Sequence, residues 1–250
     1  MRLVYDCHTH TSYSHGKNTA SEMVASAVEK GLSGIWITEH GARHMSAMKH
    51  RLDRDRYSRL RDEIEAEKAR HPGMDIRYGT EANVLSLDGD TDISGYEDIF
   101  EFYNVGYHMM VFMNDLRSEA SIQGRVILYK KLGMKGLHDG FSRDMTEVML
   151  KVLDNYDINM ITHPTRYYPM DMIRIAEKCS QRGTILEINS PKRLLCTEQI
   201  RDIIRVNDTV LFAVGSDAHR VEDVGNVSEA FDIIRESGLP LSRITNVKEN

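Results

Sequence analysis

The chain has 250 residues, 41% hydrophobic and 28% charged, which excludes a disordered or fibrous protein and leaves one large domain or two small ones. A net charge of −6 excludes a bulk attraction to nucleic acid or to an anionic membrane, so any phosphate binding must be local. The N-terminus lacks a signal-peptide core, no stretch reaches the ~20 apolar residues of a membrane span, and Cys7, Cys179 and Cys196 lack CxxC spacing, so a cytoplasmic protein without disulfides or thiolate zinc is expected.

In chain order, short apolar runs rich in β-branched or aromatic residues occur at Leu3 to Tyr5, Ile35 to Ile37, Ile76 to Tyr78, Phe102 to Val105, Ile158 to Ile161, Ile185 to Ile188 and Val210 to Val214. Each reads as a buried strand. Helical spacing appears between them. Ser21 to Lys30 carries Met23, Val24, Ala27 and Val28 on one stripe, with Gly31 as its C-terminal stop. Arg51 to Arg70 reads as a solvated amphipathic helix with Tyr57, Leu60 and Ile64 inward, and Met172 to Lys178 and Ile200 to Val206 follow the same pattern. Strands alternating with helices predict a parallel α/β sheet over residues 1–250, with no linker or repeat. At this length a closed or nearly closed barrel is favoured over an open doubly wound sheet, and in both the chemistry sits at the C-terminal strand ends.

Those ends are histidine-rich. The first run leads into Asp6-Cys7-His8-Thr9-His10, where strand alternation puts His8 and His10 on one face with Asp6 and places Cys7 and Thr9 opposite. His15 lies in the next loop. The later runs lead to Glu39-His40, Glu81-Ala82-Asn83, His108, His163 and Asp217-Ala218-His219. Seven of eleven histidines thus fall at one rim, whereas His44, His50, His71 and His138 read as surface or loop residues. Imidazoles gathered with carboxylates are hard to satisfy by hydrogen bonds alone, and they are a common ligand set for zinc, iron or manganese. Arg43, Arg166, Lys192, Arg193 and Arg220 follow these ends and are candidates for holding phosphate. Asn189, on one strand face with Glu187, is a candidate support for a ligand, and Asp6 reads as structural.

The order HTH, a further His, Thr38-Glu39-His40, Glu81-Ala82-Asn83, two single histidines and Gly215-Ser216-Asp217-Ala218-His219 resembles the PHP (polymerase and histidinol phosphatase) family of phosphoesterases, most closely its small stand-alone phosphatases. Glu39 stands where many members carry Asp. The resemblance covers nearly the whole chain. It implies a distorted seven-stranded β/α barrel and three divalent transition-metal ions. One would be held by His8, His10, Glu81 and Asp217, a second by Glu81, His108 and His163, and a third by His15, His40 and His219. Glu81, Asp217 and His219 would form the catalytic centre. Three ions bring about +6 against about −2 from the carboxylates, enough to draw in a phosphate dianion despite the acidic chain.

The expected activity is therefore hydrolysis of a small phosphomonoester. A phosphodiester of a nucleotide or nucleic acid end is the first alternative, although no basic track favours long nucleic acid. A non-catalytic metal-binding accessory domain is the second, and intact ligands argue against it. A metal-dependent amidohydrolase is the third; no lysine sits at a strand end to bridge its ions.

Overall fold

A computed structural model describes residues 1–50, 52–131, 138–191 and 194–249. The pair Arg2–Leu3 (β1) precedes seven strands that form one parallel sheet in sequential order. These are Tyr5–Thr9 (β2), Gly34–His40 (β3), Asp75–Asn83 (β4), Phe102–Gly106 (β5), Met160–Ile161 (β6), Ile185–Asn189 (β7) and Phe212–Gly215 (β8). The register sets His40 opposite Glu81, Glu81 opposite Asn104, and Asn189 opposite Gly215. Beyond β8 the chain pairs back onto β2: His10 N–H donates to Ala218 O at 2.8 Å and Ala218 N–H to His8 O at 3.3 Å. The sheet thereby becomes a nearly closed, distorted seven-stranded β/α barrel, as expected.

Helices wrap the outside. Ala20–Glu29 (α1) starts with a Thr19/Glu22 capping box, and Gly31 follows it at φ +70°, a left-handed conformation that favours glycine. With Arg54–Arg70 (α2) it covers Ile35, Ile37, Ile76 and Tyr78 through Met23, Val24, Tyr57, Leu60 and Ile64. His138–Asn155 (α3), Met172–Arg182 (α4), Thr197–Val206 (α5) and Ser228–Ser237 (α6) cover Val105, Ile161, Leu186, Ile188 and Val214. A third, smaller cluster comes from strands alone: Cys7, Met160 and Ala213, against Tyr5, Trp36 and Ile185. It fills the lower barrel interior. Among the described residues no helix is long and apolar enough to cross a membrane.

Four expectations need correction. Leu3 is not in the barrel; β1 pairs antiparallel with Val247–Lys248 (β9), and the first barrel strand starts at Tyr5. Val28 is 44% exposed, off the buried stripe of α1. Arg51 lies outside the described residues, and its helix begins at Arg54 behind an Asp53 cap. Strict alternation in β2 also fails. Asp6 pairs with Ile35 but Thr9 with Ile37, so three steps on β2 match two on β3, a bulge with one extra residue. Cys7 can therefore plug the lower interior while His8 and His10 both still face the upper one.

Candidate metal centre

Every strand of the barrel except β7 feeds a ligand-type side chain to the upper rim, and β7 supplies Glu187 just beneath it. His8, His10, His40, Glu81, His108, His163 and Asp217 are buried, His219 is half-buried and His15 is exposed. Glu81 is the hub. Its Oε1 lies 2.6 Å from His163 Nε2, 3.1 Å from His108 Nε2 and 3.4 Å from His8 Nε2. Its Oε2 lies 3.1 Å from His40 Nδ1 and 3.5 Å from His10 Nε2. Asp217 Oδ1 lies 3.5 Å from His10 Nε2, 3.7 Å from His8 Nε2 and 3.6 Å from His219 Nδ1. The His15 ring completes the outer side, 4.2 Å from that of His219 and 4.8 Å from that of His40.

Hydrogen bonding does not account for this packing. Both Glu81 oxygens lack a hydrogen bond, as do His10 Nδ1, His40 Nδ1, His108 Nδ1 and His163 Nδ1. Buried polar atoms in that number are costly unless something else binds them. Two imidazoles have their tautomer set from behind. His8 Nδ1–H donates to Glu187 Oε1 at 2.7 Å, and His219 Nδ1–H donates to the Asp217 carbonyl at 2.8 Å. In its neutral form each ring therefore carries its lone pair on Nε2. Four overlapping groups bring ligand atoms within 4.8 Å of one another: His8, His10 and Asp217; His8, Glu81 and His163; His40, Glu81 and His108; His10, His40 and His219. A neutral-imidazole and carboxylate set of this kind fits zinc, manganese or iron.

The charges agree. Burial opposes ionisation of Glu81, but His108, His8 and His163 outweigh it and hold its carboxyl well below the usual range. Burial lowers His10 and His40 well below the ordinary imidazole value, helped by the neighbouring His219 and His10 respectively. His15, exposed at one edge but with its ring against those of His219 and His40, is lowered to about 4 by this partial desolvation and by His219. These three rings, His10, His40 and His15, are neutral at neutral pH.

A supporting layer lies beneath. Glu187, fully buried, accepts from His8 Nδ1–H on one oxygen and from the His163 backbone N–H on the other. A Cβ on Gly215 would come within 2.0 Å of Glu187 Oε1, so only glycine leaves room for this carboxylate. Asp6 accepts from Ser216 N–H at 3.2 Å and Gly225 N–H at 2.8 Å, tying β2 to the loop that carries Asp217. Glu39 accepts from Thr11 N–H at 2.7 Å and Thr11 Oγ–H at 2.5 Å, anchoring the loop that carries His15; burial raises its pKa to about 7. Asp217 at φ +52° and His163 at φ +29° hold strained backbones, as side chains aimed at a site often do.

The basic candidates separate. Arg166 approaches Asp217 Oδ2 at 3.8 Å, and with Arg220, His15, His219 and Lys17 it lines a cleft of about 480 Å³ beside the cluster. Lys17 was not a sequence candidate. Arg43 points elsewhere, donating to the carbonyls of Phe112 and Met113. Lys192 and Arg193 lie outside the described residues. Asn189 Nδ2–H reaches Glu187 Oε2 at 3.4 Å, with its own Oδ1 unsatisfied. His44 is the main correction: its ring stacks on that of His40 at 4.2 Å and meets His108 edge-on at 5.5 Å, so it is no mere surface residue. His50, His71 and His138 have no part in the cluster of rings around Glu81.

Barrel and rim together define a β/α barrel with a cluster of metal-type side chains gathered at the C-terminal strand ends. Residues 6–190 match the PHP domain, and the chain belongs to that family. It is 25% identical to a probable phosphatase of Shewanella loihica, over 98% of this chain and 90% of that one. It is 27% identical to the probable phosphatase YcdX of Shigella flexneri, over 97% and 89%. Its fold matches histidinol phosphate phosphatase from Lactococcus lactis, solved with zinc, L-histidinol and phosphate, with a TM-score of 0.61 at 16% identity over 96% and 95% of the two chains. Asp217 and His219 lie beyond the matched family segment, and the fold brings them to it.

Proposed function

We propose that this chain is a cytoplasmic, single-domain phosphomonoesterase spanning residues 1–250, working with three divalent ions drawn from zinc, manganese and iron. It is a phosphatase-type hydrolase, as its family and the name shared by its relatives indicate. One observation carries the reading: five imidazoles approach the buried Glu81 carboxylate within 3.5 Å, and that carboxylate has no hydrogen bond. His8, His10, Glu81 and Asp217 would hold the first ion, Glu81, His108 and His163 the second, and His15, His40 and His219 the third. When bound, such ions lower the pKa of water and offset charge building on phosphoryl oxygens.

The protein's own residues do the rest. Glu81 and Asp217 set the spacing of the centre from two strands, and Glu187 keeps His8 in its ligating tautomer. Arg166 and Arg220, with Lys17, orient an incoming phosphate in the adjoining cleft. A net charge of −6 and a cleft of about 480 Å³ suit a small ester better than nucleic acid. Because the Lactococcus protein was solved with histidinol and phosphate, an amino-alcohol phosphate is the first substrate to try.

The experiment is metal analysis by mass spectrometry on protein purified without chelator, with histidinol phosphate and p-nitrophenyl phosphate assayed on the same sample. About three transition-metal ions per chain and activity lost on chelation are expected. One ion or none after reconstitution, or hydrolysis indifferent to chelator, overturns the proposal.

A further inference from the structure

His44 follows the rim motif Glu39-His40 and belongs to none of the overlapping ligand groups. It caps the short helix Met45–Lys49: the Ser46 backbone N–H donates to its Nδ1 at 3.2 Å, and the Ser46 hydroxyl, 2.6 Å from the same nitrogen, can donate there too. A backbone N–H can only donate, so that nitrogen carries the lone pair. In the neutral ring the proton therefore sits on Nε2, which is a hydrogen-bond donor and cannot ligate a cation.

Its place is fixed from two sides. The ring stacks on His40 at 4.2 Å with planes 20° apart, and lies 5.5 Å from His108. The backbone bridges to Val111, and Met45 N–H donates to Met110 O at 3.0 Å, locking the loop after β3 to the loop after β5. His40 and His108 are each only 5% exposed, whereas His44 remains half-buried. It lies over two imidazoles of the Glu81 cluster, and its ring is 6.2 Å from that of His15, which lines the cleft where Arg166 and Arg220 would hold phosphate.

We infer that His44 is a substrate-binding residue whose Nε2–H donates to a phosphoryl oxygen of the bound ester. The inference rests on the phosphomonoesterase reading above. A preorganised neutral donor beside charged oxygens adds binding and transition-state stabilisation without itself exchanging a proton.

Two substitutions separate this role from capping. His44→Asn keeps a strong N-cap but its amide falls short of the Nε2 position; His44→Gln reaches that position and is a poorer cap. The readouts are kcat and KM for p-nitrophenyl phosphate, the inhibition constant of inorganic phosphate, metal content and melting temperature. H44N is expected to keep its metal and melting temperature, lose about 10- to 100-fold in kcat/KM and bind phosphate more weakly, with H44Q recovering much of the loss. If H44N is as active as wild type and H44Q is the damaged variant, His44 is only a cap and the inference fails. If H44N loses metal, His44 serves the cluster rather than the substrate, and the inference fails as well. Wild-type protein that retains metal but hydrolyses neither ester would sink the phosphatase reading first, a result distinct from either.

Discussion

The two ends of the barrel interior solve opposite problems with the same strands. At the lower end Cys7, Met160 and Ala213 pack with Tyr5, Trp36 and Ile185, and burial of apolar surface stabilises the assembly without further partners. At the upper end the same strands bury histidines and carboxylates whose polar atoms go unsatisfied within the protein. A lower layer of that kind adds stability on its own, and an upper layer of that kind subtracts it until cations bind. Folding at one end thus holds ready, at the other, a site whose own groups would rather be in water.

The largest expected effect comes from removing what the upper end requires. Chelation should abolish turnover and also lower the melting temperature, because ions at 1,000 times their dissociation constant add about 4 kcal/mol to the native state. For a chain of this size that amounts to a shift on the order of 10 °C. Glu81→Gln should reproduce both losses without chelator, since all four metal-like groupings pass through Glu81 or through histidines packed around it. An unchanged melting curve after chelation would mean that the upper end is as self-sufficient as the lower.

Next in size is Glu187→Gln, which keeps the volume and removes the charge that holds His8 Nδ1–H. Metal affinity should fall about 10- to 100-fold with secondary structure intact, measured by competition with a chromophoric chelator. Gly215→Ala follows. Its Cβ would come within 2.0 Å of Glu187 Oε1 and 3.0 Å of His8 Cβ, so it should cost about 1–3 kcal/mol and weaken metal binding through the same pair. Gly73→Ala, where a Cβ meets nothing within 4 Å, is the matched control and should change neither.

Much of the barrel was legible in the sequence, because each inner strand is a short apolar run and all but β7 lead into a histidine or carboxylate. The i, i+2 pairs His8/His10 and Asp217/His219 are marked by local spacing, and the fold brings all of those residues to one rim. Other features have no local signature. The bulge in β2 adds one residue without altering composition, so alternation alone misplaced Cys7. Glu187 could be placed on its strand face, but its partner His8 sits on a strand far away in sequence, reached only once the barrel closes. His44 enters the cluster because its loop bridges to Val111, a pairing that no periodicity encodes. Arg43 looked like a phosphate ligand from its neighbour His40, yet carbonyls of a distant loop occupy its guanidinium.

The smallest expected effect on catalysis, and the sharpest test of independence between the two ends, is Met160→Ala. Met160 is 2% exposed and packs against Cys7 inside the barrel, so truncation should cost about 2–5 kcal/mol through lost contacts and an unfilled cavity. At this chain length each kcal/mol lowers the melting temperature by about 2–4 °C. The cost belongs to the apolar layer, however. Thr162, just after β6, and His163 are held by separate hydrogen bonds, Thr162 N–H to Val105 O at 2.9 Å and His163 N–H to Glu187. Metal content and turnover per folded molecule should therefore match wild type well below the new melting temperature. A proportionate loss of metal in M160A would show that the plug also tensions the rim, and the two ends would have to be treated as one cooperative unit.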